Sequence, residues 1–197
     1  MNKPATGILG TQDRVFEATS QVAIVIGASL FVALCARITL PLPFTPVPLT
    51  LQNFGVLLVG LALGPRRAFA ALVLYLGEGL MGMPVFNPTG PGGLAQLLGP
   101  TGGFLLAYPF VAGIAGWVFD AKNDKNEKKS FARAAIACTL AEIFLFVCGL
   151  SWLAVLTHSV ALAIRFGLYW FVFAEVIKIM SASALASGSQ RFHKVQS

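Results

Sequence analysis

Apolar residues along this chain come in six long runs, at about residues 20–40, 48–63, 67–83, 102–119, 131–156 and 167–186, separated by polar, proline-rich or glycine-rich stretches. A helix needs ~20 residues to cross the hydrocarbon core of a bilayer, and each run approaches that length, the second and third being the shortest. The pattern predicts one all-α bundle of six transmembrane helices spanning residues 1–197, with no separate domains. Two connections are unusual. Residues 41–53 lie within Leu40-Pro-Leu-Pro-Phe-Thr-Pro-Val-Pro-Leu-Thr-Leu-Gln-Asn53, whose four prolines forbid a continuous helix, because each lacks a backbone donor and pushes its predecessor toward extended geometry. Residues 84–101 are dense in glycine, as tight turns and close backbone approach require. Irregular backbone beside a membrane helix is tolerated where protein buries it or a wet cavity meets it, so both stretches are candidate substrate-facing loops.

Composition agrees with a membrane protein. Hydrophobic residues make up 56% and charged ones 11%, and mean hydropathy is +0.77, more apolar surface than a soluble domain of this size can cover. The first run follows a polar start containing Asp13, Arg14 and Glu17 and has no small-residue cleavage pattern after it, so it reads as a retained helix. Six spans put both termini on one side. Lys3, Arg14, Arg66, Arg67, Lys122, Lys125, Lys128, Lys129, Arg133, Arg191 and Lys194 share that side, while Arg37 and Arg165 fall on the other. The positive-inside rule makes the termini cytoplasmic and the two loops external, in a plasma-membrane protein. The net charge of +6 is thereby a topology signal and not a nucleic-acid footprint. Residues 120–129 read as a solvated cytoplasmic loop, with attraction to anionic lipid as the alternative. Cys35, Cys138 and Cys148 sit in apolar runs without metal-ligand spacing and read as packing residues.

Gly99-Pro-Thr-Gly-Gly103 is not a nucleotide-binding P-loop, since no Lys-Ser/Thr pair follows its last glycine. Neither His-x-x-x-His nor Gly-x-Ser-x-Gly occurs, which argues against an intramembrane enzyme built on Glu142 or Glu175 with His158. His158 has no second ligand nearby, and no metal is predicted.

The string from Leu40 to Gly64, with Gly64-Pro-Arg-Arg67, Leu74-Tyr-Leu76, Gly82-Met-Pro-Val-Phe86 and Gly99-Pro-Thr-Gly-Gly103, resembles the BioY family, the biotin-specific S components of energy-coupling-factor (ECF) transporters. The resemblance is strong over residues 20–119 and weaker in the last run. It implies a six-helix S-component fold that binds external biotin as transported ligand, needs no cofactor, and works with a transmembrane coupling protein and two cytoplasmic ABC-type ATPases. An S component for another vitamin is the alternative that the biotin-type loops argue against.

Glu175 and Lys178 lie three residues apart and share a helix face within an apolar run. Each costs about 2.5–3.5 kcal/mol if unpaired at the bilayer centre, which demands a partner or a ligand. A self-neutralising ion pair is one reading. The other is display to a polar, uncharged head such as the ureido ring of biotin, with both its N–H groups donating to Glu175 and its carbonyl accepting from Lys178. The BioY pattern at this place is similar to Asp-x-x-Lys, so Lys178 matches and Glu175 substitutes for Asp. Gln52 and Asn53 are candidates to turn amides toward the ligand, with a helix cap as the alternative. Asn87 and Thr89 are secondary candidates, turn formation being equally good for Asn before Pro. Tyr108 is a candidate wall and hydroxyl. Some family members carry a basic residue in the glycine-rich loop where this chain has Pro91, which leaves Arg37, Arg165 or loop N–H groups for a carboxylate.

Glu78 reads as wet and Glu142 as hydrogen-bonded to a Ser or Thr of a neighbouring helix, and neither is assigned to the site. The first run carries small residues at four-residue spacing, Ala23 with Gly27 and Ser29 with Ala33, then Ala36. Such faces let helices approach closely. Packing inside the bundle is one reading; the family resemblance implies the other, docking on the coupling protein.

Overall fold

The computed structural model describes residues 6–121 and 131–193. Lys3, Lys194 and the basic run from Lys122 to Lys129 lie outside the described residues. The order of elements is α1 (Thr6–Arg37), β1 (Thr39–Leu40), β2 (Leu49–Thr50), α2 (Gln52–Leu80), α3 (Gly93–Leu98), α4 (Gly102–Asp120), α5 (Phe131–Thr157), α6 (Val160–Gly167) and α7 (Val172–His193). Seven helices are described where six were expected, because the second and third expected helices form the single element α2 while two connections contain the short helices α3 and α6.

Among the described residues four helices are long and apolar enough to cross a membrane, or five if α6 and α7, bent by 50° at their junction, form one broken span. One of the four, α2, doubles back. Gly64 sits inside it at φ 73, ψ 174, a conformation open in practice to glycine alone, and Pro65 follows with its missing N–H and fixed φ at the start of the second arm. On a straight helix Gln52 and Tyr75 stand about 34 Å apart. Here the Gln52 Nε2 donates to Tyr75 Oη at 2.8 Å. The arms therefore run antiparallel, which accounts for the two short apolar runs with Arg66 and Arg67 exposed at the turn.

Several boundaries differ from expectation. Helix α1 starts well before residue 20, its apolar part running Phe16–Arg37. Residues 48–51 are not helical: the proline stretch is a hairpin in which Thr39 faces Thr50 and Leu40 faces Leu49 in an antiparallel pair. The last long helix starts at Val172 instead of 167, because α6 occupies the stretch before it. Its N-cap is Ser159, whose hydroxyl accepts from the Leu162 N–H at 3.3 Å.

Helix α4 packs between α2 and α5, with α1 against α2 and α7 against α5. The α2–α4 contact is backbone to backbone. A Cβ at Gly60 would lie 2.7 Å from the Ala112 carbonyl oxygen, and one at Gly116 2.7 Å from the Pro65 nitrogen, so small residues set the interhelical distance. The core includes Val56, Leu57, Leu72, Val111 and Phe119. Large apolar side chains also cover the outside: Phe173 is 78% exposed and Leu34 69%. An exterior of that kind is stable against lipid and not against water. All three cysteines are free, with Cys35 and Cys138 buried.

Candidate functional site

The hairpin, the first turn of α2, the glycine-rich loop, α4, α5 and the start of α7 line one cavity. At one end stand Glu175 and Lys178 from the first turns of α7, each more than nine-tenths buried. Lys178 Nζ donates to Glu175 Oε1 at 2.7 Å. Asn53, buried in the first turn of α2, donates through its single amide nitrogen to Glu175 Oε2 at 2.9 Å and to Glu142 Oε1 of α5 at 2.5 Å. One amide thereby ties three helices together. Its carbonyl oxygen is buried and has no partner, while Asn53 itself lines the cavity.

Phe104, Tyr108, Phe146 and Phe171 supply aromatic walls; Thr50, Asn87 and Thr101 supply the remaining polar lining with Gln52. Of the seven candidate ligand residues, Gln52, Asn53, Asn87, Tyr108, Glu175 and Lys178 line this one cavity. Thr89 does not. Its hydroxyl donates to Asn87 Oδ1 at 2.7 Å and so braces a residue that does line the cavity. Gln52 donates to Tyr75, whose hydroxyl in turn donates to the Val85 carbonyl at 3.0 Å, so part of its amide braces the glycine-rich loop.

Neither arginine considered for a carboxylate lines the cavity. Arg37 donates to the Pro84 carbonyl, and Arg165 is exposed on α6. Glu142 was expected to bond a Ser or Thr; its partner is Asn53, which brings it into the site's network. Glu78 is buried, not wet, and accepts from Ser29 at 2.5 Å. Ser29 is consequently inside the bundle and cannot belong to an exposed stripe, and Ala36 is buried as well. Ala23 and Gly27 face outward, with nothing within 4 Å of a Cβ placed on Gly27, and Ala33 is half-buried. Tyr75, Thr101 and the phenylalanine walls were not singled out from the sequence; an aromatic in an apolar run carries no signal separating a pocket wall from packing.

The hairpin, which supplies Val47, Pro48 and Thr50 to the lining, is held by its own contacts. Thr45 Oγ1 donates to the Phe166 carbonyl at 2.6 Å, Phe44 meets Trp170 with ring centroids 4.3 Å apart, and Val47 packs with Leu153, Ala163 and Phe171. Trp152 Nε1 of α5 donates to the Gly99 carbonyl at 2.9 Å and anchors the second loop. Among the described residues no group of three or more His, Cys, Asp or Glu is placed to hold a metal ion. Chemically the cavity offers one ammonium donor beside carboxylate and amide groups, together with aromatic walls and neutral hydrogen-bonding groups. That suits an elongated ligand with a polar, uncharged head.

The model of the BioY family matches residues 5–194. The chain is 36% identical over 160 residues to the biotin transporter BioY2 of Lactococcus lactis subsp. cremoris, an alignment spanning 81% of this chain and 83% of the relative. It is 32% identical over 162 residues to the biotin transporter BioY of Thermotoga maritima, spanning 82% and 92%. Among solved structures, the S-component for biotin from an ECF-type ABC transporter superposes with a TM-score of 0.79 at 24% identity, covering 89% of this chain and 93% of that one. At that identity the likeness establishes a shared fold.

Proposed function

The chain belongs to the BioY family, and from that premise we propose that it is a biotin-binding membrane S component which captures the vitamin from outside the cell. The observation that carries the proposal is the convergence of Asn53, Glu175 and Lys178 in the lining of an aromatic-walled cavity. A ureido ring is neutral and carries both donors and an acceptor, so it can be held by an acid–base pair without leaving a net charge unpaired. Biotin's apolar body then lies along Tyr108, Phe104 and Phe171, and its valerate chain runs to the mouth. There Asn87 and Thr101 donate to the carboxylate, in place of the cation that Pro91 does not supply.

Entry is from the outside, because the cationic turn at Arg66 and Arg67 marks the opposite, cytoplasmic side on which both termini also lie. Binding needs no nucleotide. Concentrative uptake needs a transmembrane coupling protein and two cytoplasmic ATPases, which reach this chain through the outward small residues Ala23 and Gly27 of α1, with Ala33 at the margin. The test is uptake of labelled biotin by cells lacking their own biotin importer. Cells given this chain with a coupling protein and ATPases should accumulate biotin; those given the ATPase module alone should not. Equal accumulation in both would refute the proposal.

A further inference from the structure

Asn53 has only one amide nitrogen, and both carboxylates around it draw on that nitrogen. Were the amide turned over, its oxygen would face the Glu175 carboxylate that Lys178 holds, an acceptor against an acceptor. The side chain is therefore locked with Oδ1 away from both acids, and Oδ1 is buried without a partner in a residue that lines the cavity. A buried acceptor left unpaired is destabilising, so this oxygen is poised for a ligand donor. Glu142 does not line the cavity; it reaches the ligand only through Asn53.

Resting on the biotin reading above, we infer that Asn53 Oδ1 is the second acceptor for the ureido ring and that Glu142 is the positioning residue that aims it. In a five-membered cyclic urea the two N–H bonds diverge on either side of the carbonyl, so a single carboxylate cannot accept both. Glu175 and Lys178 are adjacent and match one N–H and the neighbouring C=O. The other N–H then needs an acceptor of its own, and the locked Asn53 oxygen supplies it. This replaces the expectation that Glu175 takes both N–H groups, each of its oxygens already accepting one protein donor.

Biotin affinity of detergent-solubilised full-length protein tests the inference, using the parent, Asn53→Ala, Glu142→Ala and the double variant, with thermal midpoints recorded without ligand. Asn53→Ala should weaken binding about tenfold. Glu142→Ala should do nearly the same, and the double variant should be no weaker than Asn53→Ala, since Glu142 has nothing left to act through. Should Glu142→Ala fail to fold, the ligand arm decides: methylation of either ureido nitrogen should weaken parent binding at least about tenfold, whereas in Asn53→Ala methylation at one of the two should cost nothing more. Glu142→Ala binding like the parent, multiplying losses in the double variant, or equal penalties for both methylated ligands in Asn53→Ala would each overturn the inference. A parent that does not bind biotin overturns the proposed function and this assignment together; a parent that binds while the cycle fails overturns the assignment alone.

Discussion

At the scale of single residues the site is a problem of unpaired polar groups in an apolar surround. Lys178→Ala removes the cation beside Glu175, and a charge-assisted bond of about 1.5–3 kcal/mol corresponds to roughly a ten- to hundredfold loss of biotin affinity; isothermal titration of the variant checks it. Glu175→Gln should lose a similar amount. Parent-like binding in both would make the pair purely structural. Arg37→Ala and Arg165→Ala should leave affinity within about twofold, because neither side chain lines the cavity and exposed substitutions change little. The sequence revealed Glu175 and Lys178 through their spacing, a signal contained within one helical turn. It hid the partner of Glu142, since Asn53 lies 89 positions away and only the packed bundle brings the two side chains together. Cost alone marked Glu142 as needing a partner; cost does not say which one.

Elements were legible wherever hydrophobic run length set them. The long apolar stretches became α1, α4, α5 and α7, and the Gly64-Pro65 break between two short runs became the reversal inside α2. Helices α3 and α6 escaped because six and eight residues are too few to impose a period on the sequence. The β1–β2 pairing escaped for a different reason: four prolines signal extended backbone without specifying its partner. Gly64→Ala should destabilise the protein by about 1–3 kcal/mol, read as a lower thermal midpoint, since the backbone there suits only glycine and the new Cβ would stand 2.8 Å from Asp120 Oδ2. On α1, Gly27→Trp should block assembly with the coupling protein, measured by co-purification. Biotin binding by the isolated chain should be unchanged, because Gly27 faces outward and is remote from the cavity lining. A Gly27→Trp protein that assembles normally would move the docking surface elsewhere.

For the whole molecule, the architecture divides into one half packed through glycines and alanines and another where the two loops, with α3 and α6, border the ligand space. The cavity is made of segments from both halves of the chain, so binding and folding are coupled. A ligand that bridges α2, α4 and α7 stabilises only the assembled bundle, and the thermal midpoint should rise with biotin concentration. A cavity built for biotin should discriminate among vitamins when the purified, detergent-solubilised chain is titrated, without ATP, against biotin, thiamin and riboflavin in parallel. Saturable one-site binding of biotin alone is expected; preference for either other vitamin, or no biotin binding by folded protein, would contradict that assignment.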